Sequence, residues 1–243
     1  MFQDKGPPVL QDALSACALY CLKNRENQTL VLRNVEQKAQ QLVASTDTLL
    51  LSTAELLFSV QALLLYQIIR LFDGDIRLRA QAEADEATLM AWTVHLKAHM
   101  QQVVPSLPPS AGALSPVQVT APDWHRWLVK ESIRRTVFTA FTLKGVYDYL
   151  KYGSDEESGR IHRLCYTAQA ALWDAQSENG WRAAYCEQER LELRMESFNE
   201  DIAKATPGDL EELSLIVLAI YWGVETVEEW LGKHHAARHG LEV

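Results

Sequence analysis

The chain has 243 residues, 48% of them hydrophobic and 23% charged, the balance of a globular protein whose core holds without disulfide staples. With 8 prolines and 11 glycines it is too poor in turn residues for a sandwich or barrel, which turns roughly every ten residues. The net charge of −9 disfavours nucleic-acid binding, because duplex affinity comes from Lys and Arg that neutralise phosphates.

Helical periodicity runs through almost every informative segment. After Pro7-Pro8, the set Val9, Leu10, Ala13, Leu14, Cys17, Ala18, Cys21 and Leu22 stripes a first helix, and Asn24–Gln28 turns the chain. Leu30, Val31, Val35, Ala39 and Leu42 mark a second helix with a polar outer face. Ser52-Thr53-Ala54-Glu55 has the form of a capping box; it opens a third helix, apolar on nearly every side, that Asp73-Gly74-Asp75 breaks. A fourth helix follows through Arg77–Met100. Pro105–Pro122 holds five of the eight prolines and is the expected loop or internal linker. Asp123 is placed to cap a long fifth helix ending near Tyr152, with Gly153 as its exit. Ser154–Glu157 opens the next helical matter, Asn179-Gly180 is a turn, Trp181–Ala203 is read as helix, and Asp209 or Thr206 caps Leu210–Trp222. The expected architecture is all-α: one domain over 1–243, a bundle of about nine or ten helices.

Metal and redox chemistry find little support. Cys17, Cys21, Cys165 and Cys186 form no Cys-x-x-Cys pair, and neither His nor Cys completes a tetrahedral set around Cys17 and Cys21. His95/His99 and His235/His239 fall at i, i+4 but lack the Glu that a metalloprotease helix needs after its first His; they are expected to face solvent. There is no Gly-rich phosphate loop, nucleophile elbow or aspartate-rich metal motif. No cofactor, no metal and no catalytic residue is expected. Met1–Leu10 lacks an apolar core and is not expected to act as a secretory signal. Leu56–Phe72, interrupted by Ser59, Gln61, Gln67 and Arg70, is expected to be too short and polar to span a bilayer and reads as a buried central helix. The basic residues around Arg77, Arg134 and Lys233 are interleaved with acids or apolar residues and form no block of like charge.

The string from Val60 to Arg77, with Tyr66-Gln67, Arg70-Leu71-Phe72 and Asp73-Gly74-Asp75, then Trp92, Trp124-His125-Arg126-Trp127, Glu131-Ser132-Ile133-Arg134-Arg135-Thr136, Leu172-Trp173-Asp174-Ala175 and Val227–Leu231, resembles the fungal-specific regulatory region of binuclear zinc-cluster transcription factors. The resemblance covers roughly residues 7–232. It implies a helical regulatory fold, a role in transcription, a link to secondary metabolism and a nuclear location. Such factors read DNA through six cysteines holding two zinc ions; no such cluster is present in these residues, so the resemblance carries no direct DNA recognition.

Two sets of side chains are candidate sites. Trp124 and Trp127 share a helix face, and Glu131 precedes Arg135 by four residues, the favoured orientation for a helical ion pair. With Arg134 and Tyr147 they are the candidate binding set for an acidic or aromatic small molecule; the plainer reading is a core helix tied to its neighbours. Arg70, Asp73, Asp75, Arg77 and Glu83 are charges in an apolar region and are expected to form an ion network linking helices three and four. The expected function is a regulatory domain without a DNA-binding module. Its partners would be proteins (a full-length transcription factor or a second copy), with a small metabolite as an added ligand and no nucleic acid or membrane. The alternative is an enzyme of cyclase or isomerase type, with Arg134, Arg135, Tyr147 and His125 as the first residues to test.

Overall fold

The computed structural model describes residues 7–102, 123–187 and 190–238. The Pro-rich segment 105–122 and His239 lie outside the described residues. The fold is mainly helical, as the periodicity predicts. Contacts group the chain into two compact units, Met1–Pro109 with Ser132–Ile161, and Ser110–Glu131 with His162–Val243.

The first unit contains α1 (Pro8–Cys21), α2 (Gln28–Ser45), α3 (Thr53–Phe72), α4 (Ile76–Gln102), the greater part of α5 (Trp124–Tyr152) from Ser132 onward, and α6 (Ser158–Ile161). Helix α3 is its centre, packing on α1, α2 and α4. Leu56, Val60, Ala62 and Leu63 are wholly buried, and each such Leu contributes about 1.5–3 kcal/mol. The capping box forms: Ser52 N–H donates to Glu55 Oε2 at 2.9 Å, and Glu55 N–H donates to Ser52 Oγ at 3.3 Å. The break after α3 passes through Gly74 at φ +102°, a conformation that suits a residue without Cβ. Asp75 then accepts the Leu78 amide at 2.9 Å, capping α4.

One expectation needs correction. The observed α3 starts at Thr53, spans 20 residues and has a hydropathy of 1.5 over its apolar window; by length and composition it could cross a membrane. In the fold 67% of that window is buried, and Gln67 and Arg70 are turned into the protein, as in the core helix of a bundle.

The second unit takes the first turns of α5, up to Glu131, and then β1 (Cys165–Thr167), α7 (Ala170–Trp173), α8 (Glu178–Glu187), β2 (Glu192–Arg194), α9 (Phe198–Ile202), α10 (Glu212–Trp222) and α11 (Val224–Arg238). Here the sequence expectation fails in three places. Residues 181–203 are not one helix: α8 ends at Glu187 and β2 follows, pairing antiparallel with β1 so that Tyr166 faces Leu193. Leu191, Leu193 and Met195 point inward while Glu192 and Arg194 point out, the period of a half-buried strand. Asn179-Gly180 lies inside α8 rather than in a turn. Thr206 and Asp209 do bond each other, but around a short 3-10 turn at Pro207–Asp209. Helix α10 is capped by Glu211, which accepts from Leu213 N at 3.0 Å, Ser214 N at 3.1 Å and Ser214 Oγ at 2.9 Å.

Candidate functional site

In the first unit the charged residues form separate contacts rather than one network between two helices. Arg70, fully buried, donates to Asp85 Oδ2 at 2.7 Å and to Gln67 Oε1 at 3.0 Å, tying α3 to α4. Asp73 accepts from Tyr20 Oη at 2.8 Å and pairs with Lys23 just beyond α1. Asp75 serves as the helix cap, and Arg77 pairs with Glu36 of α2. Glu83 of α4 accepts from Tyr147 and pairs with Lys151 at 2.7 Å, both on α5.

The last of these contacts lies in a polar groove of about 340 Å³, walled by Glu83, Glu86, Lys144, Tyr147, Asp148 and Lys151 among others. Lys144 donates to Glu86 and Asp148, each at 2.8 Å. Burial opposes its charge, but the two carboxylates prevail and its pKa is pushed up to about 12. Burial and the bond to Glu83 push the Tyr147 phenol up to about 12. Lys151 first, then Tyr147, holds the Glu83 carboxyl below its usual range. A general acid or base works best with a pKa near the operating pH. These shifts run away from neutrality, so the groove holds a protonated Tyr147 phenol and a Lys144 ammonium beside an ionised Glu83 carboxylate.

In the second unit Trp127 does meet an aromatic partner, but it is Trp181, at a centroid distance of 5.5 Å. Trp181 is fully buried, Tyr185 lies tilted against it with centroids 4.9 Å apart, and Trp124, Leu128 and Trp173 pack around this cluster. Trp181 therefore packs against the Trp127 ring, on the aromatic face that the sequence marks as a candidate binding wall. Glu131, wholly buried, accepts from Thr167 N at 2.7 Å and Thr167 Oγ1 at 3.2 Å, tying α5 to β1. The candidate binding set is divided between the units: Trp124, Trp127 and Glu131 belong to the second, Arg134, Arg135 and Tyr147 to the first. Arg135 is buried and Arg134 is partly so, while His125 is exposed.

Asp201 went unnoticed in the sequence, where it is one acid among many. It is 2% exposed and accepts from Arg194 Nε at 3.0 Å and Nη2 at 2.9 Å, Ser197 Oγ at 2.9 Å and Lys204 Nζ at 3.2 Å. It borders a cavity of about 330 Å³ with Arg190, Leu191 and Asp209. The Arg194 fork, ahead of the other donors, holds its carboxyl far below the usual range. A depressed folded-state pKa gives stability that is present above the unfolded value of about 3.9 and lost as pH falls through the folded one. Thermal melts below about pH 4 should therefore show falling stability, and Asp201→Asn should flatten that slope. An unchanged slope in the variant would remove Asp201 as its source.

No family model matches the chain, and no solved structure matches it. Among curated proteins, "Transcription factor gsfR2" of Penicillium aethiopicum is 52% identical over 245 residues; the match takes in all of this chain and 58% of that relative. Along its whole length, then, the chain is similar to somewhat over half of a fungal transcription factor, and that relative is not named as an enzyme.

Proposed function

We propose that these residues form a helical regulatory-type region, one domain over 1–243, that takes part in transcriptional control in the nucleus through protein contacts rather than by gripping DNA. The observation that carries this reading is the 52% identity to a transcription factor along the entire chain. The acidic balance supports it, since 23 basic residues face 32 acidic ones. Helix α10 supports the protein-contact part: Ile216, Ile220 and Tyr221, with Val224 after it, are each about half exposed, a face of the kind that protein partners bury. The partner is a full-length factor of the same type or a second copy. A small metabolite in the Tyr147 groove is the added ligand, since its volume reaches the lower range of ligand pockets. The setting is fungal secondary metabolism.

The enzyme alternative, a cyclase or isomerase built on the same helices, has the groove in its favour but not the chemistry, because Tyr147 and Glu83 are tuned away from proton exchange near neutral pH. Fusion of the chain to an unrelated DNA-binding domain tests the proposal. A reporter carrying that domain's site is expected to change several-fold against the DNA-binding domain alone. Ile216→Asp with Ile220→Asp is expected to abolish the change while leaving the protein folded. A reporter that does not respond, together with a metabolite consumed when the purified chain meets extracts of the producing strain, would favour the enzyme.

A further inference from the structure

Thr53 at the start of α3 and His95 and His99 on α4 form a line of contacts. Thr53 Oγ1 lies 3.1 Å from His99 Nδ1, and His99 Nε2 lies 3.1 Å from His95 Nε2. All three side chains are half-buried, so the solvent-facing histidines expected at these positions are instead held in place. The imidazole planes cross at 86° with centroids 4.6 Å apart. Two rings meeting end-on across a hydrogen bond of that length would hold their centroids about 5.4 Å apart. The shorter spacing means that the rings are not collinear with the line joining their nitrogens but are bent against it. An ion about 2.05 Å from each Nε2 would subtend an angle of about 98°, between tetrahedral and octahedral values, and rings aimed at it would have centroids about 4.8 Å apart. The observed pair is within a few tenths of an ångström of that arrangement.

We infer that His95 and His99 chelate one divalent first-row transition-metal ion through their Nε2 atoms. Imidazole suits zinc, nickel and copper ions, whereas magnesium prefers oxygen. Thr53 completes the device. Its hydroxyl is placed to accept from His99 Nδ1–H, in the tautomer that leaves Nε2 as the ligand atom, the role an outer-shell partner plays for a metal-binding histidine. In the free protein one imidazole donates its Nε2–H to the other; on binding, that proton moves to Nδ1 and the ion takes its place. Among the described residues no group of three or more His, Cys, Asp or Glu gathers around an ion, so water fills the remaining positions and the ion is exchangeable. Through Thr53 the ion would fasten the beginning of α3 to α4.

Calorimetric titration with zinc chloride tests the inference on the full chain, with His234, His235 and His239 changed to Gln so that the C-terminal histidines cannot contribute. The expected result is one zinc ion per chain, no heat with magnesium, and a melting temperature raised by about 3 °C at saturating zinc. His95→Ala and His99→Ala, added singly, should each weaken binding about tenfold or more, and Thr53→Val should weaken it several-fold. Imidazole nitrogen NMR on the chain with His95 and His99 intact gives a second readout, independent of whether those variants fold. The Nε2 signals of His95 and His99 should move with zinc while those of His125 and His162 stay. Absence of binding once the C-terminal histidines are replaced, binding that survives loss of His95 or His99, or zinc-induced shifts at other rings would overturn it.

Discussion

Asp85→Ala is expected to destabilise the chain by about 3 kcal/mol, and Arg70→Met by about 1 kcal/mol or less. The asymmetry follows from where each partner lies. The Arg70 side chain is 0% exposed and that of Asp85 is 22% exposed. Removing the carboxylate strips a buried guanidinium of its ion-pair partner and leaves Gln67 Oε1 as its remaining hydrogen bond, while Gln67 Nε2 stays engaged with the Ala82 carbonyl at 2.9 Å. Replacing the guanidinium with a thioether of similar length removes the desolvated charge itself. Asp85 can then be hydrated at its exposed edge. Urea unfolding of the full chain reads both values. Because the partners touch, the double variant should cost less than the sum of the two single ones, by about 1–2 kcal/mol. Equal losses for the two single variants would mean that Arg70 acts through packing alone and that its charge is not the issue.

The same residues show how much of the fold is legible in the order of residues alone. Arg70, Asp73, Asp75, Arg77 and Glu83 stand out because charge in an apolar helix must find partners, and each does. What the sequence hides is the identity of those partners: Lys23 follows α1, and Glu36, Asp85 and Lys151 lie on helices, in elements whose order of packing is not written in local periodicity. Helix ends were readable where a side chain closes the first turn, as at Ser52 with Glu55, and at Asp123, which accepts the Arg126 amide at 2.8 Å. They were misread where two caps compete: Thr206 and Asp209 satisfy each other, and Glu211, whose acceptor role is indistinguishable from that of an ordinary surface acid, begins α10. The strand β2 is three residues long, so the alternation from Leu191 to Met195 occupies too short a window to stand against the helical periodicity on either side. Candidate sites fared similarly. Trp124 and Trp127 are visible as a pair, but the ring that packs against Trp127, Trp181, comes from α8, and only tertiary structure brings it there.

Trp181→Ala is accordingly expected to be the most damaging single truncation in the second unit, at about 4 kcal/mol. Its indole is fully buried and is shared between Trp127 on one side and Tyr185 on the other, so truncation opens a cavity lined by rigid rings that cannot collapse into it. Trp124 is half-buried at the edge of the same cluster, and its truncation should cost markedly less, about 1–2 kcal/mol, because water already covers part of it. Urea unfolding followed by circular dichroism gives the comparison without relying on tryptophan emission. The ranking also decides between two uses of the aromatic wall. If the cluster is a packed core, stability falls in proportion to burial and Trp181→Phe recovers roughly half of the loss. If instead these rings exist to hold a planar ligand, Trp181→Ala should leave the free protein nearly as stable as before, and the cost should appear only when a ligand is added. A stable Trp181→Ala protein would therefore return Trp124 and Trp127 to the list of binding residues and displace the Tyr147 groove as the place to look for a metabolite.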